Sequence, residues 1–188
     1  MGRVSNGISQ WLRAKAPACI ARRFARQNDG AAAVEFALVA TPFLALVFAI
    51  METALVFFAG QTLEAAVTNS SRLILTGQAQ TSGLTQSTFK DQVCAQIVGL
   101  FDCQNNLYVN VQKYTNFSSA STTPPYNNGQ LDTTAMQYSP GGPSDIVVVS
   151  LYYQWPIYVS LLSNNLANQN GSKRLLIATA AFRNEPYQ

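Results

Sequence analysis

The chain has 188 residues, of which 48% are hydrophobic and only 11% charged, with a formal net charge of +3. An ordinary soluble domain carries roughly twice that charged fraction. Histidine is absent, which removes the commonest general base and the commonest zinc ligand, and with no nucleophile constellation and no phosphate-cradling loop the sequence predicts no catalytic residues, no metal and no cofactor.

Residues 1–29 are polar and basic. Arg3, Arg13, Lys15, Arg22, Arg23 and Arg26 precede Asp29, the one acid in the first thirty positions, whereas from Ala31 onward six bases face eight acids. A basic head can mean nucleic acid. Its place beside an apolar helix favours a membrane surface instead, so no nucleic-acid partner is expected. Ile8, Trp11 and Leu12 give the segment some amphipathic character, as in a helix lying along a bilayer; a disordered tail is the alternative.

Residues 31–50 are apolar except for Glu35, and stretches 36–51 and 53–63 carry no charge. A spanning helix needs about 20 mainly apolar residues, so a membrane span is expected here. The basic region is too long for an ordinary cleaved secretory signal, and no small-x-small site follows the apolar core. Arginines before the span and their scarcity after it place residues 1–30 in the cytoplasm. The body is then outside, which in a Gram-negative cell is the periplasm. Pro42 removes a backbone donor inside the span and is expected to kink or loosen the helix, unless it is a tolerated membrane proline. Glu52 falls about 26 Å from Glu35 along a helix and is expected near the outer interface, with a pairing role as the alternative. Ala31, Ala32, Ala33, Ala37 and Ala40 offer a small-residue surface for close helix approach.

The helix is expected to continue through residues 61–75, where Leu63, Val67 and Leu73 or Ile74 recur at helical spacing. Residues 77–83 read as a loop. A second helix is predicted over residues 85–101, capped by Ser87 or Thr88, with Phe89, Val93, Ile97 and Leu100 as its apolar stripe. Strand-like runs follow at residues 107–113, 146–155 and 174–182. The loop 114–143 is rich in Ser, Thr, Asn, Pro and Gly, and long loops of this kind are usually functional or mobile. Residues 164–172 form a second polar link. The order predicts an α+β fold: a long transmembrane helix continuing as a stalk, a second short helix, and a small antiparallel sheet of about three or four strands packed on the long helix. The corresponding divisions are a basic cytoplasmic leader (1–30), a transmembrane helix (31–60) and an extracytoplasmic α+β domain (61–188).

Cys94 and Cys103 fall on the oxidising side and are expected to pair, contributing about 2–3 kcal/mol by the loop-entropy estimate. The alternative, a metal site, would have two thiolates and an incomplete shell. Cys19 should stay reduced in the cytoplasm. Tyr126, Tyr138, Tyr152, Tyr153, Trp155 and Tyr158 read as sheet packing before partner anchoring. A tethered hydrolase would need an acid pair such as Asp132 and Asp145.

The most specific local feature is the junction at Gly30. Arg22 and Arg23 lead to Gly30, then Ala31-Ala32-Ala33-Val34-Glu35, then the apolar helix. An acid at the start of a span is costly and is by default a functional hypothesis. The arrangement resembles the class III signal of type IV prepilins and pseudopilins, in which a glycine precedes the scissile bond and glutamate is fifth in the mature chain. Gly30, Ala31 and Glu35 occupy those positions. More widely, GAAAVEFALVATPFLALVFAIMETALVFF resembles the anchor of TadE-like proteins of the tight-adherence (Flp pilus) system. QVCAQIVGLFDC, PGGPSDIVVVSLYYQWP and AAFRNEPY are similar to that family too. The resemblance implies a minor pilin-like protein needed for assembly of a thin adhesive pilus, with a prepilin peptidase, other pilin-like subunits and the Tad assembly machinery as partners. It implies residence in the inner membrane and is compatible with entry into the filament. The other reading is an uncleaved, signal-anchored extracytoplasmic binding or adhesion module.

Overall fold

The computed structural model describes residues 30–97, 99, 102–159 and 166–187. The basic segment 1–29 with Cys19, Leu100 and Phe101 in the second helix, and the start of the link at 164–172 lie outside the described residues. Helix α1, Ala31–Leu75, contains 45 residues. Two compact units divide between Val47 and Phe48, within this helix.

In the first unit, Val34, Phe36, Leu38, Val39, Phe43 and Leu44 are all exposed. α1 is long and apolar enough to cross a membrane. The helix continues through Pro42. Proline has no N–H to offer the carbonyl one turn back, at Leu38. The neighbouring Thr41 hydroxyl donates to the Ala37 carbonyl at 2.7 Å, so this polar side chain carries no unpaired donor into an apolar environment.

The second unit is built on the rest of α1. Val56, Ala59, Leu63, Ala66, Val67, Ser70 and Ile74 are buried, at intervals of three and four that form one stripe of the helix. The two serines in this stretch are accommodated because their hydroxyls bond back along the helix: Ser70 to the Ala66 carbonyl at 2.6 Å and Ser71 to that of Val67 at 2.5 Å. Against the stripe lies a three-stranded antiparallel sheet ordered β1 (Leu107–Tyr114), β4 (Ile146–Pro156), β5 (Lys173–Arg183). The register pairs Val109 with Leu151 and Leu151 with Ala178. Val109, Val111, Val147, Val149, Leu151, Tyr153, Leu176 and Ala178 face the helix and join its stripe in one core. Burying each large aliphatic side chain contributes about 1.5–3 kcal/mol.

The second face of the sheet is covered by the segment between β1 and β4. Asn128 and Gly129 both have positive φ, 50° and 76°. They turn the hairpin of β2 (Tyr126–Asn127) and β3 (Gln130–Leu131), and Asn-Gly is the strongest short-range signal for such a turn. Leu131 then packs on Tyr152 of β4 and Leu175 of β5. Further on, Val111 N–H donates to the Gln137 carbonyl and Ser139 N–H to the Val111 carbonyl, both at 2.8 Å. The segment thus also occupies the outer edge of β1.

Three local expectations are corrected. Residues 77–83 hold a short helix, α2 (Gln78–Thr81). Helix α3 spans Gln86–Gln96, and Thr85 caps it in place of Ser87 or Thr88. Thr85 and Thr88 bond reciprocally: Thr85 Oγ1 accepts from Thr88 N–H at 3.3 Å, and Thr88 Oγ1 accepts from Thr85 N–H at 2.8 Å. This satisfies two helix-end donors at once. α3 also stops at Gln96, because Ile97 is extended (φ −101°, ψ 95°). Ile97 remains in the core with Phe89 and Val93. A fourth short helix, α4 (Cys103–Asn106), leads directly into β1.

Candidate functional site

Gly30, Ala31 and Glu35 lie together at the start of α1. Ala31 and Glu35 are four residues apart, hence on one helix face a turn apart. Glu35 is exposed and makes no hydrogen bond or ion pair among the described residues. Gly30 is exposed as well, and a Cβ added there meets nothing within 4 Å. Its φ lies outside the range that favours glycine. Nothing among the described residues therefore asks for glycine at position 30. Gly77 is the contrasting case, with φ 79° and a ring against its Cα.

Glu52, the other acid of the apolar stretch, is in the opposite circumstance. It is 5% exposed. One carboxylate oxygen accepts the N–H of Tyr158 at 2.5 Å and the other that of Val159 at 2.8 Å. The carboxylate thus holds the segment just after β4 against α1. Spacing alone put Glu52 near an interface. The only signal for the clasp was a single acid between two uncharged stretches.

Cys94 and Cys103 are bonded, with Cα atoms 5.7 Å apart. The bridge joins the last turn of α3 to the start of α4. Lys90 Nζ reinforces it by donating to the Gln104 carbonyl at 2.7 Å, and Gln104 Nε2 donates to Asp91 at 2.9 Å. Partial burial lowers the Lys90 ammonium below the usual lysine range, against the pull of Asp91 and Asp102. The Asp102 N–H donates to the Tyr153 hydroxyl at 3.0 Å, tying this corner to β4.

Asp132 and Asp145 are each committed to a local turn. Asp132 accepts from the hydroxyl and N–H of Thr134, and those bonds hold its carboxyl below the usual range. Asp145 accepts from the Gly142 N–H at 2.8 Å. No cluster of three or more metal-ligating side chains occurs among the described residues. Of the aromatics, Tyr152, Tyr153 and Trp155 are buried in the sheet, while Tyr126 and Tyr158 are exposed. The Tyr138 ring packs 5.7 Å from that of Phe89, and burial pushes its hydroxyl up to about 12.

The arrangement is an exposed helix start carrying an acid without a partner among the described residues, on a helix whose later turns pack into a disulfide-braced body. Residues 30–72 match the family model of TadE-like protein. No curated protein and no solved structure matches the chain. The TadE-like segment begins at Gly30 itself and takes in Ala31, Glu35, Pro42, Glu52 and nearly all of the buried stripe of α1. The sheet and the disulfide lie beyond it, as do the three later runs for which the sequence suggested the same likeness. TadE-like proteins are a pilin-type structural family, associated with Tad pili, and not known as enzymes.

Proposed function

We propose that this chain is a minor pilin or pseudopilin of the TadE-like kind, required for assembly of a tight-adherence pilus and matured by a prepilin peptidase between Gly30 and Ala31. The observation that carries the reading is a glycine that no contact among the described residues requires, standing where the TadE-like match begins. A residue with no side chain lets the backbone lie extended in a protease cleft. Cleavage would free an α-amine on Ala31, one turn from the unpaired Glu35. In a poorly screened environment that pair, within one subunit or between neighbours, would set axial register.

The basic leader stands on the cytoplasmic side by the charge rule, and the body stands in the periplasm. The Cys94–Cys103 bond fits an oxidising compartment. The partners are the prepilin peptidase, other pilin-like subunits and the Tad assembly machinery, at the inner membrane. The role is structural, and no catalysis is assigned. Mass spectrometry of membrane-extracted protein, from cells with and without the peptidase, tests this. An N-terminus at Ala31 that depends on the peptidase and disappears in Gly30→Val is the expected result. Full-length protein in both strains would overturn processing and leave an uncleaved, signal-anchored extracytoplasmic module.

A further inference from the structure

A carboxylate within an apolar helix costs about 2.5–3.5 kcal/mol at the centre of a bilayer and less toward the interface. Glu52 avoids exposure to lipid in an unusual way. Its partners are the backbone N–H groups of Tyr158 and Val159, more than a hundred residues away in sequence. The clasp brings Tyr158 to the level of position 52 on α1, and Tyr158 is 78% exposed. Around that level the helix is exposed and apolar on the sides the body leaves uncovered. Ile50 and Met51 lie just before Glu52, and Leu55, Phe57 and Phe58 just after it, Phe57 being 70% exposed. At the helical rise, Leu55 to Phe58 stand about 4.5–9 Å beyond Glu52. That distance is close to the depth of the polar headgroup layer outside a hydrocarbon core about 30 Å thick.

We propose that this collar is a lipid-contacting rim: the body rests on the outer surface of the bilayer through Tyr158, Phe57 and Phe58, with Glu52 fastening the β4–β5 connection at that depth. The inference rests on the reading of α1 as a membrane anchor and adds a second point of attachment. Three features favour lipid as the occupant. The collar is continuous along one helix with the apolar stretch before it, none of which is buried. It includes Tyr158, and the amphipathic rings of Tyr and Trp concentrate at headgroup level. Its one charge is withdrawn from the surface by backbone partners.

Depth-dependent quenching on the full chain in phosphatidylcholine–phosphatidylglycerol liposomes tests the rim. In a Cys19→Ser background with the Cys94–Cys103 bond intact, an environment-sensitive dye is attached at Tyr158→Cys, at Phe43→Cys within the span, and at Ser118→Cys as an aqueous reference. The expected result is blue-shifted emission at position 158 that a headgroup-proximal quencher removes by more than half, with a mid-chain quencher acting chiefly at 43. Quenching at 43 with a dye at 158 that behaves like the one at 118 overturns the rim and leaves the anchor standing. Absence of quenching at 43 overturns the anchor and the rim together. Glu52→Gln, which offers one acceptor in place of two, should reduce quenching at 158 several-fold and leave 43 unchanged. Unaltered quenching at 158 would remove Glu52 from the proposal.

Discussion

The ring of Tyr187 lies against the Cα of Gly77, where any Cβ would overlap it. Gly77 takes the left-handed conformation (φ 79°, ψ 1°) just after α1. Its N–H donates to the Ile74 carbonyl at 3.1 Å, and the Glu185 N–H donates to the Leu75 carbonyl at 2.9 Å. The turn therefore does two things, ending the long helix and seating segment 184–187. Gly77→Ala should cost about 1–2 kcal/mol for the conformation alone, plus the displacement of Tyr187. In a Tyr187→Ala background only the first part should remain. Urea unfolding of the four species measures the difference, and strictly additive effects would contradict the packing argument.

Tyr138 predicts a pH dependence. Burial favours its neutral form and pushes its hydroxyl up to about 12, whereas an unfolded tyrosine ionises near 10. Between those values the unfolded chain gives up its proton first. The stabilisation is complete below about pH 10 and falls as pH rises toward 12. Tyr138→Phe should remove that part of the alkaline loss. At neutral pH the variant should be as stable as the parent or gain up to about 1 kcal/mol, since the buried hydroxyl has no hydrogen-bond partner among the described residues. Thermal unfolding of both proteins across the alkaline range is the measurement.

Reduction of the Cys94–Cys103 bond should lower stability by about 2–3 kcal/mol, the loop-closure value for so short a ring. The double serine variant should behave like the reduced protein. A melting temperature indifferent to reductant would mean that the Lys90–Gln104 and Gln104–Asp91 bonds hold this corner without it.

Thr85→Ala removes the hydroxyl that accepts from Thr88 N–H, leaves the Thr85 N–H donating to Thr88 Oγ1, and should cost about 1 kcal/mol. Ser87→Ala, two residues into the helix, should stay within about 0.5 kcal/mol. Reversed magnitudes would restore the cap to the position that spacing first suggested.

The two acids of α1 should separate cleanly. Glu35→Ala touches nothing in the body and should leave its stability within about 0.5 kcal/mol. Glu52→Ala strips the acceptors from two backbone donors and should cost about 1–3 kcal/mol. Equal effects would show that the clasp contributes nothing to the fold.

Much of this architecture is legible in residue order. Leu107, Val109 and Val111 alternate toward one face as their spacing requires, and all three are buried. The β-branched and aromatic density of 146–155 marks the central strand, and the helical spacing of Leu63, Val67 and Ile74 marks the stripe beneath it. The hairpin at Asn128-Gly129 was written in a recognisable dipeptide, within a loop whose composition drew attention to its length instead. Thr85 could be mistaken because Ser87 and Thr88 offer the same hydroxyl two and three residues later, and only backbone geometry chooses among them. Glu52 was not legible at all. An acid in an apolar run reads the same whether it meets water, lipid headgroups or a distant backbone, and its partners lie across most of the chain. At the candidate site, motif and charge point to Gly30 and Glu35, and the structure places both at an exposed helix start, which depends on little that is remote in sequence.

The seating of segment 184–187 has a consequence for how the protein is made. The stripe of α1 is synthesised early, yet its covering includes Leu176 and Ala178 of β5, and the carbonyl of Leu75 waits for Glu185. Asn184 in turn bridges the carbonyls of Pro140 and Gly142, both at 2.9 Å. On the ribosome, then, an apolar helix flank stays bare while roughly a hundred further residues emerge, and it closes only after 173–187 arrive. Until then the body lacks part of its covering, and exposed apolar surface of this kind is what chaperones and proteases act on.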